Sequence, residues 1–197
     1  MCFARLKLFL CVLLVGIFIS ACDDSAKDLP NKNLKVVIIR HGEKPGESST
    51  KQADGGDNLS CQGQNRALQL PAVLIKKMGK PDYTYVPALN LDKNTAHSRM
   101  FQTVTPFAVK YNLSINSKYQ ADDFAGAANS VLKKNGTVLI VWSHSEMADL
   151  AGALGVNNPP KWSGADFDSM WIVTYASGKV ELTIDQEGLN PSVNCGF

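Results

Sequence analysis

"VVIIRHGEK", residues 36–44, is the stretch whose reading decides how this chain folds. Four β-branched residues run without a polar break into Arg40, His41, Gly42 and Glu43. β-Branched side chains favour extended backbone, and an unbroken apolar run needs cover on both faces where an alternating one needs it on one. The stretch reads as a buried strand that delivers a charged cluster. "TVLIVWS", residues 137–143, is a second such run, and it leads into His144.

Helix and strand signals alternate around these two strands. Ser60 is placed to cap a helix through "QGQNRALQLPAVLIKKM" that stops at Gly79, with Pro71 predicting a kink or a late start. "DYTYVPA" reads as a strand, and "TAHSRMFQTVTPFAVKY" as a helix broken up by Pro106. "DDFAGAANSVLKKNG" has Asp at its start, Lys in its expected last turn and Gly136 after it. "SEMADLAGALG" reads as a short helix, and "SMWIVTYASGKVELTID" as two strands about a tight turn at Ser177-Gly178. This order predicts an α/β fold, a three-layer α/β/α sandwich on a mostly parallel central sheet. Ligands of such sheets bind beyond the carboxyl ends of the strands, where His41 and His144 are both expected.

The chain has 197 residues, 45% hydrophobic and 19% charged, which suits one globular domain. A formal charge of +2, with no basic block, gives no reason to expect a nucleic-acid partner. Residues 1–21 read as a secretory signal: Arg5 and Lys7, then the apolar "LFLCVLLVGIFI", then Ser20-Ala21. Ile19-Ser20-Ala21-Cys22 resembles the lipobox of bacterial lipoproteins. That resemblance implies cleavage before Cys22, lipidation of Cys22, and attachment to a membrane through the lipid anchor. By the same resemblance Asp23 marks retention at the inner membrane, on its periplasmic face, in a Gram-negative bacterium. The polar "DDSAKDLPNKN" then reads as a tether. The expected organisation is a signal at 1–21, lipidated Cys22 and tether at 22–33, and one domain at 34–197. Of the five cysteines, Cys61 and Cys195 are left as an even pair. In an oxidising compartment they form either a disulfide or two free thiols.

Arg40, His41, Arg99 and His144 are the residues with chemistry to offer. A planar guanidinium fork suits the oxygens of a phosphoryl group, and an imidazole beside two arginines is held neutral and nucleophilic. The ordered set "RHG" at 40–42, "LSCQGQNRA" at 59–67, "TAHSRMFQT" at 95–103 and "VLIVWSH" at 138–144 resembles the histidine phosphatase superfamily, which includes phosphoglycerate mutases and acid phosphatases. The resemblance implies a phosphoglycerate mutase-like fold and a metal-independent phosphomonoester hydrolase. His41 would carry a phosphohistidine, and Arg40, Arg99 and His144 would bind phosphate. No cofactor and no metal is called for, and the three histidines lack the close spacing or cysteine partner of a zinc site.

The general acid stays open. Ser145 stands where one branch of the family has an Asp, and Glu43, Asp122, Asp123 and Glu146 are all candidates. Asp122 and Asp123 read equally well as helix caps. His97 reads as a bystander. The expected substrate is a small or surface-linked phosphomonoester; residues 45–58 show no specificity motif. The competing readings are a phospho-ligand-binding lipoprotein that has lost turnover, and a phosphomutase.

Overall fold

The computed structural model describes residues 33–46, 57–90, 97–176 and 178–197. The expected signal, Cys22, nearly all of the tether, most of the loop 45–58 and Ser177 lie outside them. Strands β1 (Leu34–Arg40) and β4 (Gly136–Trp142) are parallel neighbours, from Leu34 opposite Gly136 to Arg40 opposite Trp142. They sit inside a 6-stranded sheet. On one side β4 pairs in parallel with β2 (Tyr83–Tyr85), which pairs in parallel with β3 (Ile115–Asn116). On the other side β1 meets β5 (Ser169–Ala176), and β5 meets β6 (Lys179–Gln186), both antiparallel.

The two apolar strands are dry on both faces because four helices divide between those faces. Val37, Ile39, Leu139 and Val141 pack with Leu70 and Leu74 of α1 (Cys61–Met78) and with Met100, Val104 and Phe107 of α2 (Ser98–Tyr111). Val36, Ile38, Val138 and Ile140 pack with Ala127, Ala128 and Val131 of α3 (Phe124–Val131) and with Met147, Leu150 and Ala151 of α4 (Met147–Ala153). Val36 to Ile39 have 0% exposure, and each fully buried Val or Ile contributes about 1.5–3 kcal/mol. Three layers therefore follow from two runs of apolar residues.

The helix after β1 lies on one face and the helix after β4 on the other. The chain thus diverges between β1 and β4, and this switch point opens a crevice at their carboxyl ends.

The helix α1 spans Cys61–Met78 between the expected Ser60 cap and Gly79, without a late start at Pro71, and the structure differs from the expectation in three other places. Pro71 is buried within α1, and α2 runs through Pro106. Each proline lacks an N–H to donate and its ring crowds the carbonyl four residues earlier, and packing on the sheet outweighs that cost. The helix α3 ends at Val131, so Lys133 and Lys134 follow it. The two-residue strand β3 carries no periodicity to reveal it.

Cys61 and Cys195 are joined as a disulfide, with Cα atoms 4.9 Å apart. Asn65 Nδ2 also donates to the carbonyls of Ser192 and Asn194, at 2.8 Å each. The tail is strapped to the start of α1.

Candidate active site

Beyond β1 the backbone is fixed peptide by peptide. The N–H of His41 donates to the carbonyl of Trp142 at 3.1 Å, which carries the strand pairing one step further. The N–H of Gly42 donates to Thr103 Oγ1 at 2.9 Å, and that hydroxyl donates to the carbonyl of Arg99 at 2.7 Å. The carbonyl of Glu43 accepts from the N–H of Ser60 at 2.8 Å and from its hydroxyl at 3.1 Å. Ser60 caps α1 by accepting from the N–H of Gly63.

Loop and helix approach so closely that neither tolerates a side chain at the contact. A Cβ on Gly42 would lie 2.8 Å from the carbonyl oxygen of Gly63, and one on Gly63 would overlap the carbonyl oxygen of Glu43. This is the local reason for Gly42 in "RHGE" and Gly63 in "SCQG".

His41 is only 3% exposed, and its Nδ1 lies 2.7 Å from the carbonyl oxygen of Gly42. A carbonyl only accepts, so Nδ1 carries the proton and Nε2 keeps its lone pair. Burial lowers the pKa of the ring to about 3. The bond to Gly42 works against that shift, and the charges of Arg40, Arg99 and His144 add to it. Arg40, Arg99 and His144 are thus gathered around the neutral imidazole of His41.

Arg40 is 1% exposed. Its Nη1 donates to the carbonyls of Gly164 and Asp166, at 2.6 and 3.1 Å. The guanidinium carbon stands 3.6 Å above the centre of the Phe167 ring, a stacking that fixes the plane of the fork. The same ring meets His41 edge-on, with centroids 6.3 Å apart. Arg99 is held in the first turn of α2, its Nη1 3.4 Å from Asp57 Oδ1. His144 follows β4, half-buried, with Gly164 lying against its ring.

No family model and no curated protein matches the chain. Solved structures do. The protein named as the phosphohistidine phosphatase SixA of Agrobacterium tumefaciens superposes with a TM-score of 0.50 at 14% identity, over 82% of this chain and 100% of that one. The fold is that of the histidine phosphatases. A phosphoserine phosphatase of Entamoeba histolytica, with bound 3-phosphoglyceric acid, matches with a TM-score of 0.47 at 16% identity, over 76% and 95% of the two chains.

In this histidine phosphatase fold the carboxylates proposed from sequence fare differently. Both oxygens of Glu43 are taken by Arg66, whose Nε lies 3.1 Å from each and whose Nη2 lies 2.8 Å from Oε1. Glu43 is therefore a buried ion-pair partner, and it corrects the expectation of a possible proton donor. Asp123 is the cap of α3, accepting from the N–H of Gly126 at 2.9 Å, and Asp122 beside it is exposed. Glu146 Oε1 accepts from the hydroxyl of Ser145 at 2.9 Å, and Ser145 Oγ lies 2.9 Å from Ser143 Oγ. The Nδ1 of His97 meets the carbonyl of Ala88 at 3.0 Å, and the residue begins α2 in the left-handed conformation.

Three features were not anticipated. Arg66 also meets Glu187 at 2.5 Å and Asp168 at 3.6 Å, so several carboxylates share one guanidinium. Burial first, then the charges of Asp168 and Glu43, raises the pKa of Glu187 to about 8 against the pull of Arg66. The loop 163–168, with Phe167 under Arg40, is the second. The third is Asp57 on Arg99. A cavity of about 570 Å³ opens beside Phe167, lined by Glu43, Gln62, Arg66 and residues 164–168.

Proposed function

We propose that this protein is a phosphomonoester hydrolase that works through a phosphohistidine on His41. The observation that carries the reading is the buried, neutral His41 ring, its Nδ1 tied to Gly42 and its charge opposed by Arg40, Arg99 and His144. An imidazole with a lone pair on Nε2 is a nucleophile at neutral pH. Arg40 and Arg99 hold phosphoryl oxygens and stabilise the charge of the transition state, with His144 on a further oxygen. Nε2 attacks phosphorus, the ester oxygen leaves, and water then releases phosphate and returns the electron pair to Nε2.

Two guanidinium groups supply the positive charge that a metal ion would otherwise bring, so the reaction proceeds without metal or cofactor. The substrate is a small or surface-linked phosphomonoester. The protein is exported, and Cys22 carries the lipid that tethers it to a membrane.

The test is a panel of phosphomonoesters assayed on the full chain in detergent, with EDTA present. Turnover is expected to survive chelation and to be inhibited by vanadate, which mimics the phosphoryl group. Phosphate binding without turnover on any ester would instead favour a ligand-binding protein. Loss of activity in EDTA with recovery on zinc would overturn the arginine-based reading.

A further inference from the structure

We propose that the amino end of the sheet, the pole opposite the crevice, is a docking surface for anionic lipid headgroups. It is independent of the phosphatase reading. Helices α1, α2 and α3 each lead from the carboxyl end of one strand to the start of another strand parallel to it. Each therefore begins beside the crevice and ends at the opposite pole. The connections that follow them lie together there. Lys134 Nζ stands 4.8 Å from the centre of the Tyr83 ring, and Asp82 accepts from the N–H of Thr137 at 2.8 Å. A cavity of about 500 Å³ is lined from two of these connections, by Lys80 and Asp82 on one side and by Asn112 and Ser114 on the other.

Charge is divided between the two poles. Among the described residues, the amino pole carries Lys76, Lys80, Lys110, Lys133, Lys134 and Lys179, with Asp82 and Glu181 as carboxylates nearby. Lys77 is taken by Asp185 at 2.8 Å. The crevice end holds Glu43, Asp57, Asp166, Asp168 and Glu187. The formal charge of +2 over the whole chain conceals this separation. The helix dipole favours lysine where α1 and α2 end, but it explains neither Lys179 on β6 nor the apolar surface among the lysines. Val109, beside Lys110, is 77% exposed, and Tyr83 is 37% exposed. Lysine interleaved with exposed apolar and aromatic side chains fits a bilayer. The ammonium groups meet phosphate headgroups, and the apolar groups enter the interface between them.

The chain enters the domain at this same pole. The carbonyl of Asn33 accepts from the N–H of Gly136 at 3.1 Å, and β1 follows at once. The eleven residues from Asp23 to Asn33 can reach at most about 40 Å when extended. A chain held at Cys22 therefore keeps the pole close to the bilayer, and its lysines act within a screening length of about 8 Å at physiological salt. The attraction orients the domain and does not replace the anchor.

The test is lysine footprinting of the full chain with a water-soluble acetylating reagent, read residue by residue by mass spectrometry. The protein is reconstituted with vesicles of phosphatidylcholine alone, or with vesicles that also contain about one-third phosphatidylglycerol. With the anionic vesicles, labelling of Lys80, Lys110 and Lys133 is expected to slow several-fold. Exposed Lys118, beyond the carboxyl end of β3, should react at the same rate with both. Salt raised to about 1 M, where the screening length is about 3 Å, should remove the protection. Lys118 protected as much as the pole, equal protection by neutral vesicles, or protein that stays with neither kind of vesicle overturns the proposal. So does protection by soluble polyglutamate that anionic vesicles do not give, which would assign the pole to an acidic protein. A variant combining Lys80→Glu, Lys110→Glu and Lys133→Glu, all at exposed positions, supplies a second measurement. Its Lys76 and Lys179 should react with anionic vesicles present as fast as with neutral ones, and protection retained there overturns the proposal as well.

Discussion

At His41 three influences act together, and only one of them could be read from the sequence. Arg40 is its covalent neighbour, so the opposing charge was visible in "RHG". The burial that dominates its protonation and the bond from Nδ1 to Gly42 required the folded loop. His144 also ends a strand, but it is half-buried, and its place against Gly164 suits a group that holds an oxygen. His41→Ala is therefore expected to abolish both turnover and the acid-labile phosphoenzyme trapped by rapid quench. His144→Ala removes a donor to the transition state, typically worth ~2.7–4 kcal/mol, and should slow turnover while phosphoenzyme remains detectable. Phosphate trapped on His144, or normal turnover by His41→Ala, would show the roles to be reversed. Phe167 and Asp57 escaped the sequence for a physical reason. They meet Arg40 and Arg99 only through tertiary folding, the loop of Phe167 lying 124 residues beyond Arg40 at its Gly164 contact, and neither sits in a periodic or motif-like stretch.

Between elements, the decisive contact is backbone on backbone, where the His41 loop meets the first turn of α1. Sequence showed the Ser60 cap, because capping is a local property, and not that Gly42 and Gly63 would meet, because that contact is tertiary. It left open a late start of α1 at Pro71, because that depends on Leu70 and Leu74 being held against the sheet. The interlock reverses an ordinary rule. Gly→Ala inside a helix usually stabilises by roughly 0.5–1 kcal/mol. At Gly63 the added Cβ would overlap the carbonyl of Glu43, so Gly63→Ala should instead cost about 1–3 kcal/mol, as overpacking does. It should also weaken phosphate binding, since the displaced backbone carries His41 and Gly42. Gly152 in α4 has nothing within 4 Å of its Cβ position and provides the control. Gly152→Ala is expected to raise the denaturation midpoint, and Gly63→Ala to lower it. A midpoint that rises in Gly63→Ala as well as in Gly152→Ala would mean that the loop yields without strain.

On the scale of the whole molecule, the direction of β1 sets how a chain tethered at Cys22 would present its site. The chain enters the domain at Leu34 and reaches the His41 loop after Arg40, so the two ends of the strand are about 20 Å apart at a strand rise of ~3.3 Å per residue. A lipid on Cys22 would hold the domain by the end remote from the crevice and leave the crevice open to soluble or surface-linked esters. One acyl chain gives only marginal membrane binding, whereas the several chains of a bacterial lipoprotein give stable anchoring. Two measurements follow from that arrangement. Intact-mass analysis of membrane-extracted protein should show a chain that begins at Cys22 and carries acyl mass. Cys22→Ser should partition into the soluble fraction, with kcat/KM on a soluble phosphomonoester unchanged, because the anchor touches no group that handles phosphate. A mature chain that starts elsewhere, or Cys22→Ser protein that still sediments with membranes, would remove the lipid anchor from the account and leave the chemistry at His41 as it stands.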